Sequence, residues 1–155
     1  MAWDFETEDE FQRELNWMDA FVRDEVEPLD YVLSDPYDKS DELAMKILKP
    51  LQAQVKERGL WACHLGADLG GPGFGQLKLG LMNEILGRSG WAPSVFGCQA
   101  PDSGNAEILA HYGSDEQKKK YLHPLLEGEI SSCYSMTEPH AGADPTLFTT
   151  RAVKD

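Results

Sequence analysis

The sequence predicts a mainly all-α fold that changes to β-like sequence near residue 130. Apolar residues recur at helical spacing in several segments before that point, as they do in amphipathic helices. Residues 7–10 and 114–117 each place a hydroxyl three positions before a carboxylate or amide, a pattern typical of helix N-termini. Small and large residues alternate after position 130. We therefore expect a helical region over residues 1–129 and a β-like region over residues 130–155.

The first two helices follow from apolar spacing and from their end signals. The capping box Thr7-Glu8-Asp9-Glu10 opens the first helix, and Pro28 ends it. Its apolar residues share one face: Phe11, Leu15, Met18, Val22 and Val26. Proline and several aspartates predict a loop over residues 31–39. A second helix is predicted over residues 40–58, with a kink or a break at Pro50, because proline lacks an amide donor.

The remaining helices are shorter. The glycine-rich segment 69–75 predicts a tight turn rather than a dinucleotide fingerprint, since no strand precedes it and its last glycine position is a glutamine. A helix is expected over residues 76–88. The segment 91–112 predicts one helix broken near Pro101 or two short helices. The second capping box opens a helix over residues 114–122, which the following proline is expected to end.

Two strands are expected in the last part of the sequence. Residues 131–136 alternate in size, and residues 148–153 contain threonine and valine, which favour extended chain. One or two strands do not form a stable sheet alone.

Bulk composition excludes several classes of protein. The formal net charge is −13, which argues against binding to nucleic acid or to anionic membranes. No apolar run has the ~20 residues of a membrane-spanning helix. The acidic segment 1–6 has no signal-peptide or transit-peptide pattern.

The cysteines and histidines do not suggest a metal site. Cys63, Cys98 and Cys133 lack the spacing of zinc ligands and are expected to be reduced, small and buried. We expect a cytoplasmic protein on this basis. His64, His111, His123 and His140 share no ligand spacing, although His140 lies within the loop of the segment from Tyr134 to Asp144 and is a candidate for contact with a ligand there.

The segment from Tyr134 to Asp144 is the strongest functional signal. It combines an extended lead-in, a hydroxyl, a carboxylate, a proline and a loop of small residues. Backbone groups of an extended chain can contact the polar edge of a flat cofactor, and a threonine hydroxyl adds a donor. Thr137 and Gly142 are the first candidates, because glycine lets the backbone approach a ligand closely. A simple strand end remains the alternative.

The order of several motifs resembles the acyl-CoA dehydrogenase family. The stretch from Gln99 to Asp144 is similar throughout, and the matching upstream segments are residues 70–73 and 83–88. Its motifs include Pro101-Asp102-Ser103-Gly104-Asn105, Tyr112 to Lys118, Pro124 to Glu129 and Met136-Thr137-Glu138-Pro139.

The resemblance implies an N-terminal helical domain over residues 1–129 and the incomplete start of a middle β-domain over residues 130–155. It implies an FAD-dependent oxidoreductase that removes an α-proton and a β-hydride from an acyl-CoA thioester. It also implies an electron-transferring flavoprotein or similar acceptor, and a homo-oligomer.

Site residues follow from the same resemblance. Those expected to bind FAD are Tyr134, Ser135, Met136, Thr137, Gly142 and Ala143. Those expected to contact substrate are Phe96, Gly97, Ala100, Ser103 and Ala143. Most family members carry serine at the position of Ala143, so one hydrogen bond, worth about 0.5–1.5 kcal/mol, is lost here.

No catalytic residue is assigned. In the family the carboxylate base comes from a C-terminal bundle outside this sequence, so we expect the chain to be inactive alone. Glu138 is interpreted as a loop-positioning residue. A non-enzymatic helical interaction module and an acyl-CoA oxidase remain alternatives.

Overall fold

The structure is a computed structural model that describes residues 6–154. The prediction that residues 1–6 lack a targeting pattern falls mostly on residues 1–5, which lie outside the described residues. Seven α-helices occur within the described range. They are α1 (Asp9–Phe21), α2 (Glu42–Glu57), α3 (Gly75–Leu86), α4 (Ala92–Val95), α5 (Asp102–Tyr112), α6 (Asp115–Gln117) and α7 (His123–Leu126). The predicted mainly helical fold is confirmed.

The first helix ends in two irregular turns. A π-helical turn (Val22–Val26) and a 3₁₀ turn (Glu27–Tyr31) follow α1, and Pro28 lies in the first turn of the latter. The first predicted capping box is wrong, because Glu8 is the N-cap residue and no side chain caps the helix. The Thr7 hydroxyl instead bonds to the side chain of Gln12.

Helix α2 continues through its internal proline. It runs unbroken over Glu42–Glu57, so Pro50 does not split it. The carboxylate of Asp41 caps it by accepting the amides of Leu43 at 3.0 Å and Ala44 at 3.1 Å. These bonds satisfy amides that have no partner inside the helix.

The later helices differ from the predictions mainly at their ends. The segment 91–112 contains the two short helices α4 and α5. The second capping box is confirmed, with Ser114 and Gln117 bonded reciprocally. Pro124 does not end the helical run, because it occupies the first turn of α7 after a π-helical turn, Lys118–Leu122. Proline is tolerated there because the first amides of a helix have no partner to lose.

The core forms two clusters. The larger one joins α1 and the following turn to α2, α3 and α4, and its fully buried members include Met18, Val22, Val55, Met82 and Phe96. The smaller one joins α5 to the turn before α7 and to α7, through Ala106, Ala110, Leu122 and Leu125. Each large apolar side chain buried in this way stabilises the fold by about 1.5–3 kcal/mol.

The two predicted strands are not strands. Residues 131–136 and 148–153 are irregular, and the described chain contains only one isolated bridge, between Glu138 and Ala141. A strand is defined by backbone bonds to a neighbour, and no neighbouring strand lies beside either segment within residues 6–154. The amide of Ser132 instead donates to a side chain of α5.

The cysteines are free, but they do not share one environment. Cys63 is buried and Cys98 is half-buried, whereas Cys133 is exposed, contrary to the prediction that all three are buried. Within residues 6–154, no helix has the length and apolar character needed to cross a membrane.

Candidate functional site

A cavity of about 150 Å³ lies between α2, the start of α5, the end of α7 and the chain that follows α7. Both polar and apolar side chains line it, among them Gln52, Trp61, His64, Gln99 and Ser103. Ser131 and Ser132 complete one side. The cavity therefore reaches the position at which the predicted flavin segment begins.

Trp61 is a rigid part of this wall. Its indole Nε1 donates to the carbonyl of Leu126 at 2.8 Å. The Lys56 Nζ lies 4.6 Å from the centroid of the Trp61 ring system, in a cation–π contact. Gln52 of α2 also bonds to α4, because its Nε2 donates to the carbonyl of Ser94 at 3.1 Å. These bonds tie α2 and the segment after it to α4 and α7.

Two polar side chains of the wall have atoms without a partner. Both ring nitrogens of His64 and the Oε1 of Gln99 are buried and make no hydrogen bond in the described part of the chain. Burial lowers the pKa of His64 below its usual value, because the protonated ring loses its hydration. A neutral imidazole and an amide oxygen thus remain available to a polar group in the cavity.

The sequence did not identify these two residues. His64 has no ligand spacing, and Gln99 begins the stretch of family resemblance without lying in one of its named motifs, so the sequence assigned neither residue a role. Both line the same cavity, and the segments that carry them are joined by a tertiary contact, in which the amide of Ala62 donates to the carbonyl of Phe96 at 2.9 Å.

The residues predicted to contact substrate lie in three environments. Gly97 and Ser103 line the cavity. Phe96 is fully buried in the larger core cluster. Its ring packs edge-on against the ring of Phe21, with the two ring centroids 6.1 Å apart. Ala100 is exposed at the surface, and Ala143 is exposed in the later loop.

The residues predicted to bind flavin form an open stretch. Tyr134, Ser135, Met136 and Thr137 are all exposed. The amides of Tyr134, Ser135 and Thr137 donate to no group among the described residues. Gly142 lies against Thr137, since a Cβ at Gly142 would come within 3.0 Å of the Thr137 methyl carbon. Free amides, a hydroxyl and a glycine packed closely against Thr137 fit the edge of a flavin.

Glu138 holds the loop that follows. Its carboxylate accepts the amide and hydroxyl of Thr149 at 3.0 and 3.1 Å and the amide of Thr150 at 2.9 Å. The His140 Nε2 lies 3.2 Å from the same carboxylate. The Thr149 amide, followed by the groups of Thr150, lowers the pKa of Glu138 to about 2. The charged carboxylate is thus committed to positioning the loop.

We expect the Glu138 clamp to weaken in acid and in the Glu138→Gln variant. The folded-state pKa lies below the ordinary value of 4.5, so the clamp is complete above pH 4.5 and is lost as the pH falls toward about 2. An NMR titration of the Thr149 and Thr150 amides should show a low inflection. In Glu138→Gln these amides should exchange several-fold faster with solvent at neutral pH, since charged acceptors form the stronger bonds. Glu129→Gln, an exposed control, should leave them unchanged, and an inflection near pH 4.5 would contradict the clamp.

No group of three or more histidine, cysteine, aspartate or glutamate side chains is arranged to hold a metal ion in the described range.

Comparison with known proteins gives consistent matches. Residues 6–129 match the family model described as the acyl-CoA dehydrogenase N-terminal domain. The chain is 42% identical over 132 residues to acyl-CoA dehydrogenase family member 11 of Gallus gallus. The match covers 81% of this chain and 17% of that protein. It is 33% identical over 141 residues to family member 10 of Mus musculus, with 87% and 13% covered.

A solved structure shares the fold. It is described as that of a candidate acyl-CoA dehydrogenase from Mycobacterium abscessus, and it superimposes with a TM-score of 0.76 at 34% identity. The match covers 92% of this chain and 38% of that chain. The chain therefore spans less than a fifth of the two curated relatives and about two fifths of the solved structure.

Proposed function

Because the chain belongs to the acyl-CoA dehydrogenase family, through its N-terminal domain, we propose that it forms one wall of the cleft of an FAD-dependent acyl-CoA dehydrogenase. The proposed reaction is the α,β-dehydrogenation of an acyl-CoA thioester by a longer protein that contains this domain. One observation carries the proposal beyond the family. Ser132, which lines the cavity, lies two residues before the exposed stretch in which the amides of Tyr134, Ser135 and Thr137 are free.

The proposed cofactor is FAD, and bound FAD supplies the acceptor for the hydride that leaves the β-carbon. The role of this chain is to bind and orient. The free amides of Ser135 and Thr137 and the Thr137 hydroxyl are the donors proposed for the flavin edge. Gly142 lets the loop backbone come close. Ala143 offers no hydroxyl, so the backbone carries more of the binding here.

The acyl chain is proposed to pass along the side of the cavity that contains Gly97 and Ser103. The α-proton requires a carboxylate base. Glu138 does not suit that role, because its oxygens accept hydrogen bonds from Thr149 and Thr150 and its pKa is about 2. The base is therefore proposed to lie in another part of the longer protein, as are the contacts with an electron acceptor and with further subunits.

The experiment is a spectrum of the intact product of the natural gene. A yellow protein that bleaches when acyl-CoAs are added without oxygen would support a dehydrogenase. The same bleaching followed by release of hydrogen peroxide in air would instead indicate an oxidase. A colourless protein that binds no FAD would refute the proposal and favour a non-enzymatic interaction module.

We expect Thr137→Val in the intact protein to weaken FAD binding. Valine keeps the methyl group that packs on Gly142 but removes the hydroxyl. One net hydrogen bond is worth about 0.5–1.5 kcal/mol, so the dissociation constant should rise roughly 2- to 13-fold. Titration of the apoprotein with FAD measures this rise. Thr137→Ser keeps the hydroxyl and is the matched control, and equal affinity of the valine and serine variants would show that the hydroxyl does not contact the cofactor.

A further inference from the structure

The carboxylate of Asp102, in the first turn of α5, is a convergence point for donors from three segments. Its Oδ1 accepts the amide of Ser132 at 2.8 Å and the hydroxyl of Ser132 at 2.6 Å. Its Oδ2 accepts the Nε2 of Gln99 at 2.6 Å and lies 3.8 Å from the Nζ of Lys39. The Asp102 side chain is only 14% exposed, so these bonds are partly shielded from water.

Two further contacts reinforce the same attachment. Asn105, one turn along α5, donates from Nδ2 to the Ser132 hydroxyl oxygen at 2.8 Å. The Lys39 Nζ donates to the carbonyl of Ile130 at 3.0 Å. The chain at residues 130–133 is therefore held to the helical domain by side chains and not by strand pairing.

This attachment lies immediately before the proposed flavin segment. Ser132 is followed closely by the free amides of Tyr134, Ser135 and Thr137. Beyond them, the Glu138 carboxylate accepts hydrogen bonds from Thr149 and Thr150. The open stretch thus runs between two carboxylate clamps, and the Asp102 clamp is the one fixed to the cavity. Gln99, a bonded neighbour of Asp102, also lines that cavity.

We infer that Asp102 is a positioning residue that sets where the proposed flavin segment begins relative to the cavity wall. This inference rests on the proposed function. Two donors from Ser132 on one oxygen fix both its backbone and its side chain. Bonds to a charged acceptor are roughly twice as strong as neutral ones. Loss of the carboxylate leaves residues 130–133 with only the bonds from Lys39 and Asn105, so the position of the segment 134–137 is less restricted.

The side chains predict how a conservative variant behaves. In Asp102→Asn the amide oxygen can still accept both donors of Ser132. The new NH₂ group then faces Gln99, whose Oε1 has no partner. Rotation of the Gln99 amide by half a turn brings that oxygen to the new donor, but it moves the Gln99 Nε2 into the unpartnered position, and the neutral amide loses the ion pair with Lys39. We therefore expect Asp102→Asn to keep most of the attachment and Asp102→Ala to weaken it most.

The test uses the intact FAD-binding protein and three variants. They are Asp102→Ala, Asp102→Asn and the control Asp115→Ala, which removes a first-turn carboxylate from α6 that has no such partners. Hydrogen exchange of the peptide 130–137 reports the attachment, and titration of each apoprotein with FAD reports its consequence. Far-ultraviolet circular dichroism checks that the helices are retained. Ser132→Ala removes one donor without altering α5 and serves as an independent variant.

We expect Asp102→Ala to speed exchange over residues 130–137 and to raise the FAD dissociation constant about tenfold. Ser132→Ala should raise it about threefold. Asp102→Asn and Asp115→Ala should stay within about twofold of the wild type. Unchanged FAD affinity in Asp102→Ala, or equal losses in the alanine and asparagine variants, would overturn the inference alone. Failure of the wild-type protein to bind FAD would overturn the proposed function, and with it the positioning role.

Discussion

Replacement of Phe96 by alanine should lower the free energy of unfolding by about 3–5 kcal/mol. Phe96 is fully buried and is among the largest side chains in the core cluster that joins α1 to α4. Truncation removes its contacts with neighbours such as Phe21 and leaves a cavity that the helices fill only in part. Urea unfolding followed by far-ultraviolet circular dichroism measures the loss directly.

A matched control separates burial from aromatic chemistry. Tyr112→Ala removes a ring that is 84% exposed and should change stability by no more than about 0.5 kcal/mol. An equally small change in the free energy of unfolding for Phe96→Ala would contradict the burial of Phe96. Because Phe96 is buried, any effect of this residue on the proposed acyl binding would act through the position of its neighbours.

Replacement of Gly97 by alanine should be nearly as damaging, although it adds only one methyl group. Gly97 has a φ of +65°, a conformation that costs a residue with a side chain about 1–2 kcal/mol. A Cβ there would also lie 2.5–2.7 Å from atoms of the Trp61 ring. That ring cannot move freely, because it bonds to Leu126 and stacks under Lys56. Adding the roughly 1–3 kcal/mol of overpacking gives an expected loss of roughly 2–5 kcal/mol.

The control is Gly104→Ala, at a glycine seven positions after Gly97. Gly104 lies inside α5, and a Cβ there would meet no atom within 4 Å. Gly104→Ala should be neutral or stabilising by about 0.5–1 kcal/mol, since alanine favours a helix. Urea unfolding of both variants makes the comparison, and Trp fluorescence reports displacement of Trp61. Equal stability of the two variants would contradict the packing of Gly97 on Trp61.

Most helices were predictable from the sequence because their signals are local. The spacing of Phe11, Leu15 and Met18 marks one buried face of α1, and all three residues are buried. The capping box at Ser114 needs only residues within one turn, and it forms as predicted. The helical character of the chain and the division of 91–112 into two helices follow from the same short-range rules.

Sequence patterns failed where the same residues have another position or partner available. A kink or a break was predicted at Pro50 and a helix end at Pro124, yet α2 is unbroken and Pro124 lies in the first turn of α7, where no amide bond is lost. The alternation at residues 131–136 predicted a strand, but no strand lies alongside within residues 6–154, and Asp102 takes the amide of Ser132. The first capping box failed because Thr7 bonds to Gln12 instead.

The sequence by itself therefore determined the helical class and the family, because each is encoded in neighbouring residues. Only the tertiary structure decided which side chains share the cavity. It placed His64 and Gln99 in the wall of one cavity and packed Gly97 on Trp61. It also joined Asp102 to Ser132, which lies 30 positions away. Such contacts depend on how packed helices bring distant parts of the chain together. The spacing of residues within one segment does not predict that arrangement.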